Sequence, residues 1–145
     1  MTQPTPDVAD LAEHLRSAVS AFVRTVRCDT DTPRSAGADT LELLDRAGPA
    51  NIAALAQIRN VKHQSMRLVT AQLEEEGLVE RTPDPQDGRS VLFAVTGKGR
   101  ARLHDARAAR ADHIADLIAA RLSPAERAEL GAAIRLIERL AGPAS

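Results

Sequence analysis

Apolar residues first recur at Val8, Leu11, Leu15, Val19, Phe22 and Val26. These steps of three or four trace one face of a helix that opens at Asp7. Asp7 and Asp10 suit its positive end, and the turn-forming stretch CDTDTPRSAG (28–37) ends it. Residues 1–6, with two prolines, read as a frayed arm. Asp39 with Glu42 three residues on predicts the start of a second helix, with Leu41, Leu43, Leu44 and Ala47 as its apolar content and Gly48-Pro49 as its stop. Asn51 is placed to cap a short third helix, Ile52 to about Arg59. A tight connection at Asn60-Val61 then leads to a fourth, about Lys62 to Glu76, closed by Gly77. Met66, Val69, Thr70 and Leu73 share one face of that fourth helix.

The period then changes. LVERT (78–82) and SVLFAVT (90–96) are rich in β-branched residues, and PDPQDG (83–88) between them is dense in turn formers. Two strands joined by a loop of several residues are predicted. Thr96 is placed to cap a long helix through about Leu122. Ser123-Pro124-Ala125-Glu126 combines a cap, a proline at the first helical position and a capping-box glutamate. The last helix carries Leu130, Ile134, Ile137 and Leu140 and ends at Gly142-Pro143. A short helix, a two-residue turn, a longer helix and a hairpin, in that order, make a winged helix-turn-helix. The expected fold is therefore mainly α with a small β-hairpin wing, one domain over 1–145. Residues 39–96 form the DNA-reading unit, and the helices over 7–27 and 97–141 form a dimerisation region.

Composition narrows the function. With 145 residues the chain has one domain's worth of core. Its only aromatics are Phe22 and Phe93, so it carries no platform for stacking single-stranded bases. The net charge of −1 gives no support to nucleic-acid binding, which has to be argued from local distribution. One cysteine, Cys28, rules out an internal disulfide and suits a reducing cytoplasm. The N-terminus lacks an apolar signal region, and no apolar run is long enough to span a bilayer.

Subtracting the core face of the fourth helix leaves Lys62, His63, Gln64, Ser65, Arg67, Leu68 and Ala71 facing outward or sideways. The first of them sit at a helix N-terminus, where backbone N–H groups and the dipole favour phosphate. Glutamine pairs bidentately with adenine, arginine with guanine, and serine serves either base. From Arg59 to Leu73 there are three basic residues and no acidic one. In a chain of net charge −1 this is a local positive surface, although composition alone favours an ordinary solvated helix face.

Residues 61–100, VKHQSMRLVTAQLEEEGLVERTPDPQDGRSVLFAVTGKGR, resemble the MarR family of bacterial regulators. The matching pieces are QSM (64–66), LEEEGLVER (73–81), DPQDGR (84–89) and the VT-G-KG-R run (95–100), and their order and spacing are more specific than any one alone. The resemblance covers roughly 39–122. It implies an obligate homodimer, a recognition helix in the major groove and a wing arginine in the minor groove. Carried over by position, the recognition residues are Lys62, His63, Gln64, Ser65, Arg67 and Leu68, and the wing arginine is Arg89. Asp87 falls where the family's wing has an acidic residue that shapes the loop; as the Asp of a DG turn it has that role without any resemblance. The chain departs from the family's pattern at His63, where proline is common, and at Leu68, where a polar residue is frequent. Leu68 either contacts a thymine methyl or packs inward.

Other constellations carry less. His14, His63, His104 and His113 show no metal-ligand spacing, and the nine-position separation of His104 and His113 puts them on opposite helix faces. Cys28 has Arg24, Arg27 and Arg34 nearby, but there is no tyrosine to orient a thiolate, and an inert thiol is expected. Glu74–Glu76 read as a solvated helix end. No nucleophile–base pair, phosphate loop or catalytic carboxylate pair occurs, so neither an enzyme, a cofactor nor a metal is expected. The apolar stripes at Leu11, Leu15 and Val19 and at Leu130, Ile134, Ile137 and Leu140 are read as the dimer interface. The leading reading is a double-stranded DNA-binding transcription regulator of repressor type on a pseudo-palindromic operator, with room for a small-molecule effector between the dimer helices and the DNA-reading unit. The alternative is a winged-helix protein-interaction module without DNA binding.

Overall fold

The computed structural model describes residues 7–142. The frayed arm expected over 1–6, and Pro143, lie outside them. Six helices and one hairpin follow in the order α1 (Val8–Asp29), α2 (Ala36–Ala47), α3 (Ile52–Arg59), α4 (His63–Glu75), β1 (Val79–Pro83), β2 (Val91–Val95), α5 (Gly97–Arg121) and α6 (Pro124–Ala141). The caps explain most of these boundaries. Asn51 and Thr96 each accept from the backbone amide three residues on (Ala54, 2.8 Å; Gly99, 3.1 Å), and Ser123 with Glu126 closes a full capping box.

The second helix differs from expectation. It starts at Ala36, because Ser35 is its cap and accepts from the Ala38 amide at 3.0 Å. Asp39 lies inside the first turn, and its carboxylate is committed elsewhere. The sheet also gains a residue the sequence pattern did not offer: Ala50 bridges Phe93, exchanging amide and carbonyl at 2.9 and 3.2 Å. A single bridging residue has no period to detect.

The core gathers Leu41, Leu43 and Leu44 from α2, Leu55 from α3, Met66 and Leu73 from α4, and Phe93 from β2. Leu103 of α5 enters it as well, which fastens the long helix to the helix-turn-helix unit. Two hydroxyls are buried with their hydrogen bonds satisfied, Thr40 to the Ala36 carbonyl and Thr70 to that of Met66.

Both connections around α4 are fixed by the same device. After α3, Asn60 adopts a left-handed backbone (φ 51°), its amide bonding to the Gln57 carbonyl and that of Val61 to Ala56. After α4, Gly77 does the same (φ 72°), with Gly77 to Glu74 and Leu78 to Leu73. This is the Schellman arrangement, which satisfies the last carbonyls and turns the chain sharply. The terminal helices are different. Val26 is the one fully buried residue of α1, and α6 has none.

Candidate nucleic-acid interface

The recognition segment begins at an unguarded helix end. Lys62 occupies the cap position of α4 without a side-chain hydrogen bond to the first turn, and that turn holds no acid. Its backbone donors are therefore free for an anion. Met66, Thr70 and Leu73 are buried, Val69 half-buried, and His63, Gln64, Ser65, Arg67, Leu68 and Ala71 exposed. Every residue read as outward from the sequence is exposed in the structure, and Gln72 joins them. Leu68 does not pack inward: it is 66% exposed. Arg67 turns sideways, donating from Nε to Nδ1 of His63 at 3.3 Å.

The wing is shaped by two aspartates in succession. Asp84 Oδ1 accepts from the Gln86 amide at 2.9 Å, and Asp87 Oδ1 from the Arg89 amide at 3.0 Å. The Asp84 amide donates to the Ser90 carbonyl and the Ser90 amide to that of Asp87, closing the loop base. These turns need a short acceptor two residues upstream of the donor. Asp84 and Asp87 each hold one such turn. Arg89 stands exposed beyond them. Among the described residues neither Arg89 nor Lys62 pairs with a carboxylate.

Two charge expectations are corrected. Arg59 does not add freely to a positive surface, since it pairs with Asp39 at 3.2 Å, as does Arg34 at 3.1 Å. Burial raises the Asp39 pKa, but the hydrogen bonds and charges of both arginines outweigh it and hold the carboxyl below its ordinary value. Nor are Glu74 and Glu76 merely solvated. Glu74 takes Arg81 from β1 at 2.9 Å, and Glu76 takes Arg102 from α5 at 3.2 Å. Lys98 Nζ donates to the Glu76 carbonyl, and Arg81 also lies 5.6 Å from the Phe93 ring centre. The C-terminal end of α4 is thus tied to both the wing and α5. The arginines that hold it come from elements brought together only by folding, so adjacency in sequence gave no signal.

Behind α4 lies a cavity of about 500 Å³, bounded by Arg27 of α1, the N-terminus of α2, Val69, Gln72 and Leu73 of α4, and Arg102 and Arg110 of α5. Among the described residues, Arg27 Nε is a buried nitrogen without a hydrogen-bond partner. No group of three His, Cys, Asp or Glu able to hold a metal occurs among the described residues, and none of their helices is long and apolar enough to cross a membrane. His113 meets Asp29 at 3.1 Å, bridging α5 to α1.

A short brace helix, a tight left-handed turn, a helix with a polar outer face and a hairpin wing define a winged helix-turn-helix protein. Comparison with known proteins agrees. The MarR family model matches residues 38–91. An HTH-type transcriptional regulator of Mycobacterium tuberculosis (strain CDC 1551 / Oshkosh), MT0903.1, is 35% identical over 131 residues, covering 89% of this chain and 91% of that protein. A crystal structure of a Pseudomonas aeruginosa PA01 protein described as a transcriptional regulator superposes with a TM-score of 0.82 at 30% identity, covering 96% of this chain and 99% of that one. Escherichia coli MarR in its apo form shares the fold, with a TM-score of 0.64 at 18% identity over 93% of this chain and 98% of its own. The chain belongs to the MarR family. It is a DNA-binding transcription regulator, and the reading as a pure protein-interaction module falls away.

Proposed function

We propose that the protein acts as a homodimer on a pseudo-palindromic operator, with α4 in the major groove and the Arg89 wing in the adjacent minor groove, and that it represses by occupying that site. The observation that carries this is the outer face of α4. Lys62, Gln64, Ser65 and Arg67 stand exposed at an unguarded helix N-terminus, while the opposite face is locked into the core. Base contacts in this class of protein come from the first turns of the recognition helix. Glu75, exposed one turn after Ala71, sets the limit beyond which phosphate proximity becomes unfavourable.

Dimerisation is supported by the terminal helices. Leu11, Val19, Ile134, Ile137 and Leu140 are exposed, Leu15 and Leu130 half-exposed, on two long helices that bury almost nothing within the chain. Large bare apolar faces mark interfaces. Two recognition helices must lie about 34 Å apart to read successive half-sites, a spacing only a dimer supplies. A small-molecule effector in the cavity behind α4 would touch α1, α4 and α5 together and so alter the placing of α4 relative to the dimer helices. The reading calls for no cofactor, and a regulator of this kind works in the cytoplasm, where its operator lies.

Recovery of DNA from a random-sequence library by the purified protein, together with sedimentation at micromolar concentration, tests the proposal. A two-fold-symmetric consensus and a dimer that persists on dilution are expected. A folded monomer that stays monomeric with added DNA would sink it.

A further inference from the structure

We propose that Leu68 reads the 5-methyl group of a thymine in each operator half-site, and so sets a thymine preference that the polar residues of α4 do not supply. This rests on the placing of α4 in the major groove. Successive helical residues are turned by ~100°, so Leu68 points about opposite to Met66, Thr70 and Leu73, which are buried. It is 66% exposed. An exposed leucine is ordinary on a protein surface. This one stands at the centre of the outward face, where the residue that presses furthest into a groove must be.

Its neighbours reinforce the point. One turn before it is Gln64 and one turn after it are Ala71 and Gln72, all exposed. Ala71 is too short to cover Leu68. The charge nearest in sequence, Arg67, is drawn aside by its hydrogen bond to His63. The centre of the face is therefore apolar, with amide-bearing residues before and after it. A duplex of the four standard bases offers one apolar feature on the floor of the major groove, the thymine methyl. Opposite cytosine N4, guanine O6 or adenine N6, an isobutyl group displaces water from a polar atom and returns no hydrogen bond, which is unfavourable. Leu68 thus favours thymine and disfavours every other base edge at one position.

The experiment replaces each thymine of a library-selected duplex, one at a time, with deoxyuridine. That change removes the methyl and keeps every hydrogen-bonding group. The full-length wild type should lose about fourfold in affinity per half-site at one symmetric pair of positions, the worth of one buried methyl, and be indifferent to the change elsewhere. Leu68→Ala should bind thymine and deoxyuridine duplexes equally at that pair. Because Leu68 is exposed, the melting temperature of Leu68→Ala should match the wild type. If no deoxyuridine position matters, or if Leu68→Ala keeps the full discrimination, the inference is wrong. So it is if Leu68→Ala changes the association state instead. Gln64→Ala separates the two levels: loss of operator affinity with Gln64→Ala but no methyl dependence leaves α4 in the groove and removes only the role of Leu68.

Discussion

Gly99, in the first turn of α5, lies against the peptide of Leu78 so closely that a Cβ built on it would overlap the Leu78 carbonyl oxygen and stand 2.8 Å from Val95 Cγ1. The same corner is sewn by Thr96, whose amide donates to the Leu78 carbonyl and whose hydroxyl donates to that of Gly77. The base of the wing and the start of the long helix are thus one rigid joint, through which the helix-turn-helix unit is held to α5.

Gly99→Ala should therefore destabilise by about 1–3 kcal/mol, the cost of overpacking against backbone, although alanine is the better helix former. Gly37→Ala in α2 is the contrast. Its added Cβ would meet Leu73 Cδ2 at 3.5 Å, an ordinary contact. That variant should gain about 0.5–1 kcal/mol. Urea unfolding of both variants checks the pair; equal effects of the same sign would refute the joint.

The two DNA-reading elements should divide their labour. Arg89 is exposed on a loop held by Asp84 and Asp87, and the minor groove proposed for it has a degenerate pattern. Arg89→Ala should weaken binding to operator and random duplexes by similar factors and lower the salt slope by ~0.9 per site. Gln64→Ala or Arg67→Ala should cost about 1–3 kcal/mol on the operator and much less on random DNA. Salt titrations on both duplexes distinguish them. An Arg89→Ala protein with unchanged affinity and slope means that the wing does not engage DNA.

Asp39 makes stability depend on acid. Burial alone would raise its pKa, but Arg34 and Arg59 hold it below the ordinary 3.8 in the folded chain. A carboxyl depressed on folding stabilises at pH values above its unfolded pKa, and the contribution fades as pH falls through the lower folded value. Asp39→Asn should lower stability at neutral pH by about 1 kcal/mol. The difference from wild type should begin to narrow near pH 3.8 and close only at lower pH, in thermal melts across pH. A gap that widens in acid would contradict the pairing.

Cys28 should be silent. Its thiol is exposed at the end of α1. Two of the three arginines expected near it are engaged elsewhere, Arg27 donating to the Thr32 carbonyl and Arg34 pairing with Asp39. Cys28→Ser should leave DNA affinity, and its response to peroxide, unchanged in band-shift titrations. Release of wild-type DNA by peroxide, absent in the variant, would show a redox switch.

Periodicity and caps in the sequence determined the element order, the outward set on α4 and the turn chemistry of the wing. These depend on neighbours within a few residues: Asn51 on Ala54, Thr96 on Gly99, Asp87 on Arg89. Local rules also named the core face, because Met66, Thr70 and Leu73 recur at helical spacing. What tertiary structure alone decided was every pairing across the chain. Asp39 was read as a helix start because an acid three residues before a glutamate looks like one, yet Ser35 took the cap, and Asp39 met an arginine twenty positions on. Glu74 and Glu76 look solvated until β1 and α5 bring Arg81 and Arg102 to them. The direction of Leu68 was open for the same reason: spacing puts a side chain on a face, but only packing on the other side of the helix shows which face is left to the solvent.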